Sequence, residues 1–397
     1  MGVVGRLRQT AGEWILPVLP KGIRERIVGP RFSWNHSDLC QVARLRSGET
    51  RLLIAPANSA SQAVLWARVA ETLPGVKART LVFGHDPSGP SVAPDVSVKP
   101  HVGHNSPLWS RRQRRALLQG FTHVIYEAER AILPALYGED LEAEIKDLQE
   151  HGVRVAMLSH GSDVRLPLQH RESRPYSPFH TDLEGLTAKL EEVTEENVAL
   201  LERLNVPKFV STLDLLEYIP DADWLPTLVD RTRWQGLPPA QLGERKLAVL
   251  HVPSRSALKG TSQIRSAMER LQEQGLIDYV EAQGVPASEM PKLVGQADLV
   301  VDQLGMDLYG VASVEAMCAG RLVVAQVGDF IREQTRNRCG LDVPIIEADP
   351  DTIYEVVKEV ATHPSGCAHL VDEGRRFVEA VHSEDKVAAA LAQFLDS

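Results

Sequence analysis

Glu315 stands among Ala, Val, Met and Cys in the run Val311–Ala319, which reads as a small-residue helix stopped at Gly320. A lone carboxylate in such surroundings is expensive to bury unless something uses it, so the residue points to a ligand site. A second acid, Asp307, precedes it with seven residues between, and Gly310 lies in that interval. Upstream, the loop Pro253–Thr261 carries Arg255 and Lys259, the latter followed by Gly260 and a helix. Cations on such a loop can neutralise an anionic group, although Lys and Arg are most often solvated surface charges. An acid on a helix likewise has an ordinary alternative, a half-buried turn.

These side chains need elements to hold them. Leu299–Val301 is an apolar, β-rich run ending at Asp302, Gly305 and Gly310 mark a loop, and Leu322–Ala325 is a second buried strand. Leu247–Val252 is another strand, and its loop leads into a helix from about Ser262 to Gln274. Tyr279–Pro286 and a short helical segment to Gln296 lie between the two groups. Strand–loop–helix–strand units of this kind build doubly wound sheets, which bind ligands at the carboxyl ends of their strands.

In this order the stretch Lys246–Gly328 resembles the donor-sugar site of retaining glycosyltransferases with two Rossmann-like domains (the GT-B type), specifically the family 4 group. That family carries two acids at the spacing of Asp307 and Glu315, the second leading into Glu-Ala-Met-Ala-x-Gly. Here the run is Glu315-Ala316-Met317-Cys318-Ala319-Gly320. The first acid is Asp where the family has Glu, and the family's Arg slot holds Ser254 with Arg255 beside it. The resemblance implies that Glu315 binds the ribose hydroxyls of a nucleotide-sugar, with Asp307 and Gly310 in the same donor site. It implies that Lys259 and Arg255 neutralise the diphosphate that leaves. A departing diphosphate accumulates charge in the transition state, and preorganised cations stabilise it there more than in the ground state. Backbone atoms near Val285 are expected to meet the base. Retention of configuration, no metal, and no cofactor beyond the nucleotide-sugar substrate are further implications. No side-chain nucleophile stands out, which suits a mechanism in which the leaving diphosphate takes the acceptor proton.

The N-terminal half reads as a second doubly wound domain. Arg51–Ala55, Thr80–Phe83, Thr122–Tyr126, Arg154–Leu158 and Lys208–Ser211 are its strands, the last of them closing this half. Gln62–Thr72, Arg111–Leu118 and Leu141–Glu150 are intervening helices, and such alternation argues a parallel sheet. The expected class is α/β, two Rossmann-like domains facing across a cleft. An acceptor-binding domain takes residues 1–215, a Pro- and Trp-rich linker 216–245, and a nucleotide-sugar-binding domain 246–397, whose last helix is expected to return to the N-terminal lobe. On the acceptor side, Asn58 and Ser59 follow the first strand at a helix N-terminus, which favours anionic groups. Plain capping by Ser59 or Ser61 is the alternative. His160-Gly161-Ser162-Asp163 resembles a loop of some bacterial transferases of this group, in which His160 and Asp163 would bind sugar hydroxyls and His160 would serve catalysis. The alternative is a turn capped by Asp163 beside a core histidine.

Composition restricts the remaining classes. A chain of 397 residues with 43% hydrophobic residues suits two domains, and a net charge of −10 offers no general case for nucleic-acid binding. Four scattered cysteines suggest neither a disulfide framework nor a metal site, and suit a reducing cytoplasm. No apolar run approaches a membrane span. Arg111, Arg112, Arg114 and Arg115, with Arg6, Arg8, Lys21, Arg24, Arg26 and Arg31, could instead hold the protein peripherally on anionic lipid at the inner face of the membrane. The favoured function is sugar transfer from a nucleoside-diphosphate donor to a glycan, lipid-linked or small-molecule acceptor, in polysaccharide biosynthesis. A catalytically impaired binding or scaffold protein of this fold is the alternative, suggested by Asp307 and Ser254. A nucleotide-sugar epimerase is the third reading.

Overall fold

The computed structural model describes residues 34–84, 92–138, 140–181, 183, 185–253 and 257–396. By internal contacts the chain divides into two compact units. One takes the chain up to Leu158 with Arg203–Lys208 and Leu391–Ser397, and the other takes Ser159–Glu202 and Phe209–Ala390.

The first sheet has seven strands: β1 Thr50–Ala55, β2 Val76–Phe83, β3 Val96–Val98, β4 His123–Glu127, β5 Arg154–Ser159, β6 Lys208–Val210 and β7 Asp223–Trp224. Their order is β3-β2-β1-β4-β5-β6-β7. Leu52 of β1 faces Ala78 of β2 on one side and His123 of β4 on the other, both parallel. Leu52, Leu53, Ile54 and Ala55 are wholly buried, the pattern of a central parallel strand covered on both faces. β7 corrects the expectation that Lys208–Ser211 closes this half. A two-residue strand has no period to read, and β7 lies within the Pro- and Trp-rich stretch.

The second sheet comprises β8 Leu247–His251, β9 Ile277–Glu281, β10 Leu299–Val301, β11 Leu322–Ala325 and β12 Ile346–Glu347. Its order is β12-β11-β10-β8-β9. Val249 of β8 pairs with Leu299 of β10, and all four ladders are parallel. Leu247, Val249, Leu299, Val301, Leu322 and Val324 form the core with Ile264, Met268 and Leu271 of the helix Thr261–Glu273. In this order the first strand lies between the second and third, so the chain winds in opposite directions from the gap between β8 and β10. That gap is the topological switch point, where such sheets bind ligands. In the first sheet the corresponding switch lies between β1 and β4.

The final helix is Glu384–Leu395, and its end from Leu391 belongs to the first unit. There Phe394 meets His123 edge-on at 5.0 Å. Burial pushes the His123 imidazole down to about 4, so it stays neutral in that packing.

Candidate functional site

At the second sheet's switch point the loop after β8 meets the end of β10. Lys259 Nζ lies 2.5 Å from Asp302 Oδ1, and Asp302 is only 2% exposed. Burial alone would raise the Asp302 carboxyl, but the charge and hydrogen bond of Lys259 outweigh it and hold the group below its ordinary value. Ser313 Oγ donates to Asp302 Oδ2 at 2.7 Å and the Gly310 N–H donates to it at 3.3 Å. Thus one buried acid ties the Lys259 loop, Gly310 and the start of the helix Val311–Cys318 together. Gly260 must be glycine: its φ is +65°, and a Cβ would come within 3.1 Å of Leu304 Cβ and O.

His251 locks the same corner from below. One ring nitrogen is 2.8 Å from the Val301 carbonyl and the other 3.0 Å from Thr261 Oγ1. Burial lowers its pKa, and a neutral ring satisfies both contacts by donating to the carbonyl and accepting from the hydroxyl.

Glu315 projects from the helix Val311–Cys318 and is half-buried. Among the described residues no group hydrogen-bonds its carboxylate. Burial pushes the carboxyl up to about 7, against the opposing pull of Arg233 and Lys259, with the Asp302 charge adding to the rise. Arg233 is held in turn by the carbonyl of Ala287, next to the loop that carries Val285. Val285 is half-buried and follows Gly284, whose φ is +64°. Arg255 and its neighbour Ser254 lie outside the described residues.

Asp307 occupies a left-handed backbone position, φ +52°, unusual for a residue with a side chain. The loop around it is tightly pinned: Gln303 Nε2 donates to the Leu308 carbonyl at 2.8 Å, and the Gly305 N–H donates to Gln326 Oε1 at 2.8 Å. Arg174 Nε lies 3.2 Å from Asp307 Oδ2. Burial raises the Asp307 carboxyl, Arg174 opposes the rise, and Glu217 and Asp329 add to it.

The His160 loop begins where β5 ends. Asp163 accepts from the His160 N–H at 2.7 Å and the Gly161 N–H at 2.5 Å, so both carboxylate oxygens cap their own turn. His160 itself is half-buried, and Asn197 Nδ2 donates to the Asp163 carbonyl at 2.8 Å. In the other unit, Asn58 Nδ2 donates to the Val92 carbonyl at 3.0 Å, and its Oδ1 accepts from the Val64 N–H at 3.4 Å. Ser59 is exposed. Ser61 Oγ accepts from the Val92 N–H at 2.7 Å, so neither serine caps the following helix.

The second unit therefore holds Lys259, Asp307 and Gly310 on loops and Glu315 on the helix Val311–Cys318, and Asn58 and Ser59 belong to the first unit. Sequence reasoning missed Asp302 as the partner of Lys259, as well as Arg174, Arg233 and His251. Asp302 had a usable signal, an acid ending a buried strand. The arginines had none.

No protein-family model matches this chain, and no curated protein sequence does. Solved structures do. Sucrose-phosphate synthase from Thermosynechococcus elongatus superposes with a TM-score of 0.57 at 14% identity, over 87% of this chain and 97% of that one. HepE from Anabaena, solved with UDP and glucose, gives a TM-score of 0.54 at 12% identity, over 87% and 99%. WaaG, a glycosyltransferase involved in lipopolysaccharide biosynthesis, gives 0.52 at 14% identity, over 87% and 100%. Identities this low establish the fold alone. The α/β class with two parallel sheets, and the GT-B type of architecture expected from the sequence, are borne out.

Proposed function

We propose that this chain is a glycosyltransferase that moves a sugar from a nucleoside-diphosphate donor to a glycan, lipid-linked or small-molecule acceptor. The observation that carries this reading is Glu315: a half-buried carboxylate without a hydrogen-bond partner among the described residues, beside the switch point of the second sheet. Ribose hydroxyls would supply the missing donors. Lys259 has three N–H donors, and Asp302 takes one, which leaves two for diphosphate oxygens. Held by a buried acid, that ammonium is preorganised, as a group stabilising a leaving diphosphate needs to be. HepE of the same fold has been solved with UDP-glucose, which lends the donor class further support. Transfer proceeds with retention and without a metal on this reading, and His160 with Asp163 in the second unit and Asn58 with Ser59 in the first are each candidates for binding the acceptor.

The deciding experiment offers UDP, GDP and ADP sugars, with and without a glycan-containing extract, and measures free nucleoside diphosphate. Release from one donor class, stimulated by extract and insensitive to chelator, is expected. Tight nucleotide binding with no release would overturn the transferase reading in favour of the binding protein, the alternative suggested by Asp307 and Ser254 where the family has Glu and Arg.

A peripheral membrane role belongs to the same proposal. No helix among the described residues is long and apolar enough to cross a membrane. In the helix Pro107–Gly120, Arg111 and Arg115 are exposed, Arg112 donates to the Leu39 carbonyl at 3.1 Å, and Arg114 grips Asp147 at 2.6 and 2.7 Å. Arg6, Arg8, Lys21, Arg24, Arg26 and Arg31 lie outside the described residues. Each free cation near anionic lipid contributes about 1 kcal/mol and is screened by salt. Arg111→Ser with Arg115→Ser should weaken co-sedimentation with anionic vesicles at low salt and leave the melting temperature unchanged. Arg114→Ser should lower the melting temperature instead. Wild-type protein that never sediments would assign these arginines to a solvated helix face.

A further inference from the structure

The helix His369–Val381 lies directly against the helix Val311–Cys318 that carries Glu315. A Cβ on Gly374 would come within 3.2 Å of Met317 Cβ, so glycine there permits the close approach of the two helices. Past the end of the Glu315 helix, Gly320 has a φ of +68°, and a Cβ on it would strike the Arg375 guanidinium. Before its start, Tyr309 meets Phe377 edge-on at 6.1 Å. His382 follows the helix His369–Val381 and is 2% exposed. Its ring meets Tyr309 edge-on at 5.6 Å and Trp224 of β7 edge-on at 6.1 Å.

Nδ1 of His382 is 2.9 Å from the Thr227 carbonyl, and Nε2 is 3.2 Å from Tyr309 Oη. Burial pushes the imidazole down to about 4, so near neutral pH the ring carries one proton. A carbonyl can only accept, so that proton is on Nδ1, and Nε2 accepts from Tyr309 Oη. Tyr309 is 7% exposed, and burial raises its hydroxyl, which keeps the donated proton in place. Thr335 faces the same hydroxyl, but its own proton goes to the Ile331 carbonyl at 2.7 Å. Trp224, Thr227, Tyr309, Ile331 and His382 also line a small cavity. Packing is incomplete on that side, so the hydrogen bond rather than close contact holds the Tyr309 hydroxyl.

The next residue belongs to the donor site. The Gly310 N–H donates at 3.3 Å to Asp302, the acid that holds Lys259. That distance is at the long end for such a bond, so a small shift of the loop would break it. We propose that His382 is a positioning residue of the donor site. By accepting the Tyr309 hydrogen bond it fixes Gly310 and the start of the Glu315 helix, and so strengthens binding of a nucleoside diphosphate. This inference rests on the donor-site reading of Lys259 and Glu315. It adds that a C-terminal residue touching no ligand on that reading sets how well the site binds.

The test uses two amides that each keep one half of the imidazole's bonding. His382→Gln places its amide where Nε2 lies and can still accept from Tyr309. His382→Asn places its amide where Nδ1 lies and can still donate to Thr227. Each loses one contact of a buried group, so chemical denaturation should find both destabilised to a similar extent. Calorimetry with UDP, GDP and ADP, read for whichever binds wild-type protein, should separate them. His382→Asn should lose roughly three- to tenfold in affinity, the size of one buried hydrogen bond, and His382→Gln should stay within about twofold of wild type. Tyr309→Phe keeps the ring, should match His382→Asn, and serves if the histidine variants do not fold. Combining Tyr309→Phe with His382→Asn should weaken binding no further, since both remove the same contact. Equal affinities in the two histidine variants, or a folded Tyr309→Phe that binds as wild type does, would reduce His382 to packing and overturn the proposal. Failure of wild-type protein to bind any of the three nucleotides would overturn the donor-site reading itself, and this inference with it.

Discussion

Lys259→Met should produce the largest combined loss of stability and turnover of any single substitution in this chain. The ammonium lies against a carboxylate that is almost wholly buried, and removing one partner of such a pair costs about 3–5 kcal/mol because the other charge is left uncompensated. Ser313 and Gly310 still donate to Asp302, which places the expected loss toward the lower end. Turnover should fall on the order of 10²–10³-fold, the cost of removing one preorganised group from a site of developing charge. Affinity for the nucleotide-sugar should change less, since the charge on the diphosphate grows as the bond breaks. The double variant Lys259→Met with Asp302→Asn separates the two effects. Asn still accepts from Ser313 and carries no charge, so most of the stability should return. Turnover should not. If chemical denaturation shows no destabilisation in Lys259→Met, the buried pair has been misjudged; if the double variant regains turnover, the cation has no part in the chemistry. The pair also predicts acid sensitivity. Asp302 is held below its ordinary value when folded, so its contribution is present above about pH 4 and disappears as the pH falls through the folded value.

How far the sequence could be read follows from the range of each interaction. β1, β8, β10 and β11 are legible because central parallel strands are covered on both faces and need uninterrupted apolar runs. β3, β7 and β12, two or three residues long, carry no periodic signal, and their pairing depends on neighbours distant in the chain. Glu315 is legible for a local reason, an acid among apolar residues on a single helix. Lys259 is legible through the loop it sits on, but its role as a buried ion-pair partner is not, because Asp302 is 43 residues away. Arg174 is the extreme case. Nothing in the polar run around it hints at Asp307, and only the packing of two distant loops brings them to 3.2 Å. The same applies to Asp163. Its spacing from His160 suits a sugar-binding pair and a self-capped turn equally, and the hydrogen bonds show its carboxylate on the backbone of its own turn.

Glu315 gives the second large effect, and its sign differs between folding and binding. Its carboxyl rises from an ordinary 4.5 to about 7 on folding, chiefly through burial. Between these values the folded chain keeps a proton that the unfolded chain has released. Stability is therefore full below about pH 4.5, declines as the pH rises toward 7, and stays reduced beyond. Glu315→Gln abolishes that decline and should be more stable than wild type at about pH 8, on the order of 1–2 kcal/mol once partial exposure is allowed for. Glu144, wholly buried and also raised to about 7, produces a decline of the same sign, but it is common to both proteins and cancels in the comparison. A nucleotide acts in the opposite direction. Hydroxyls donating to the carboxylate favour its charged form, so binding near neutral pH should release a proton, and affinity should increase from about pH 6 to pH 8. Calorimetry in two buffers of different ionisation enthalpy reads that proton directly. Glu315→Gln should bind without releasing it, and Glu315→Ala should lose about 1–3 kcal/mol of affinity by leaving hydroxyl donors unpaired in a partly desolvated site. Proton uptake on binding, or a folded alanine variant with undiminished affinity, would show that the nucleotide does not lie on Glu315.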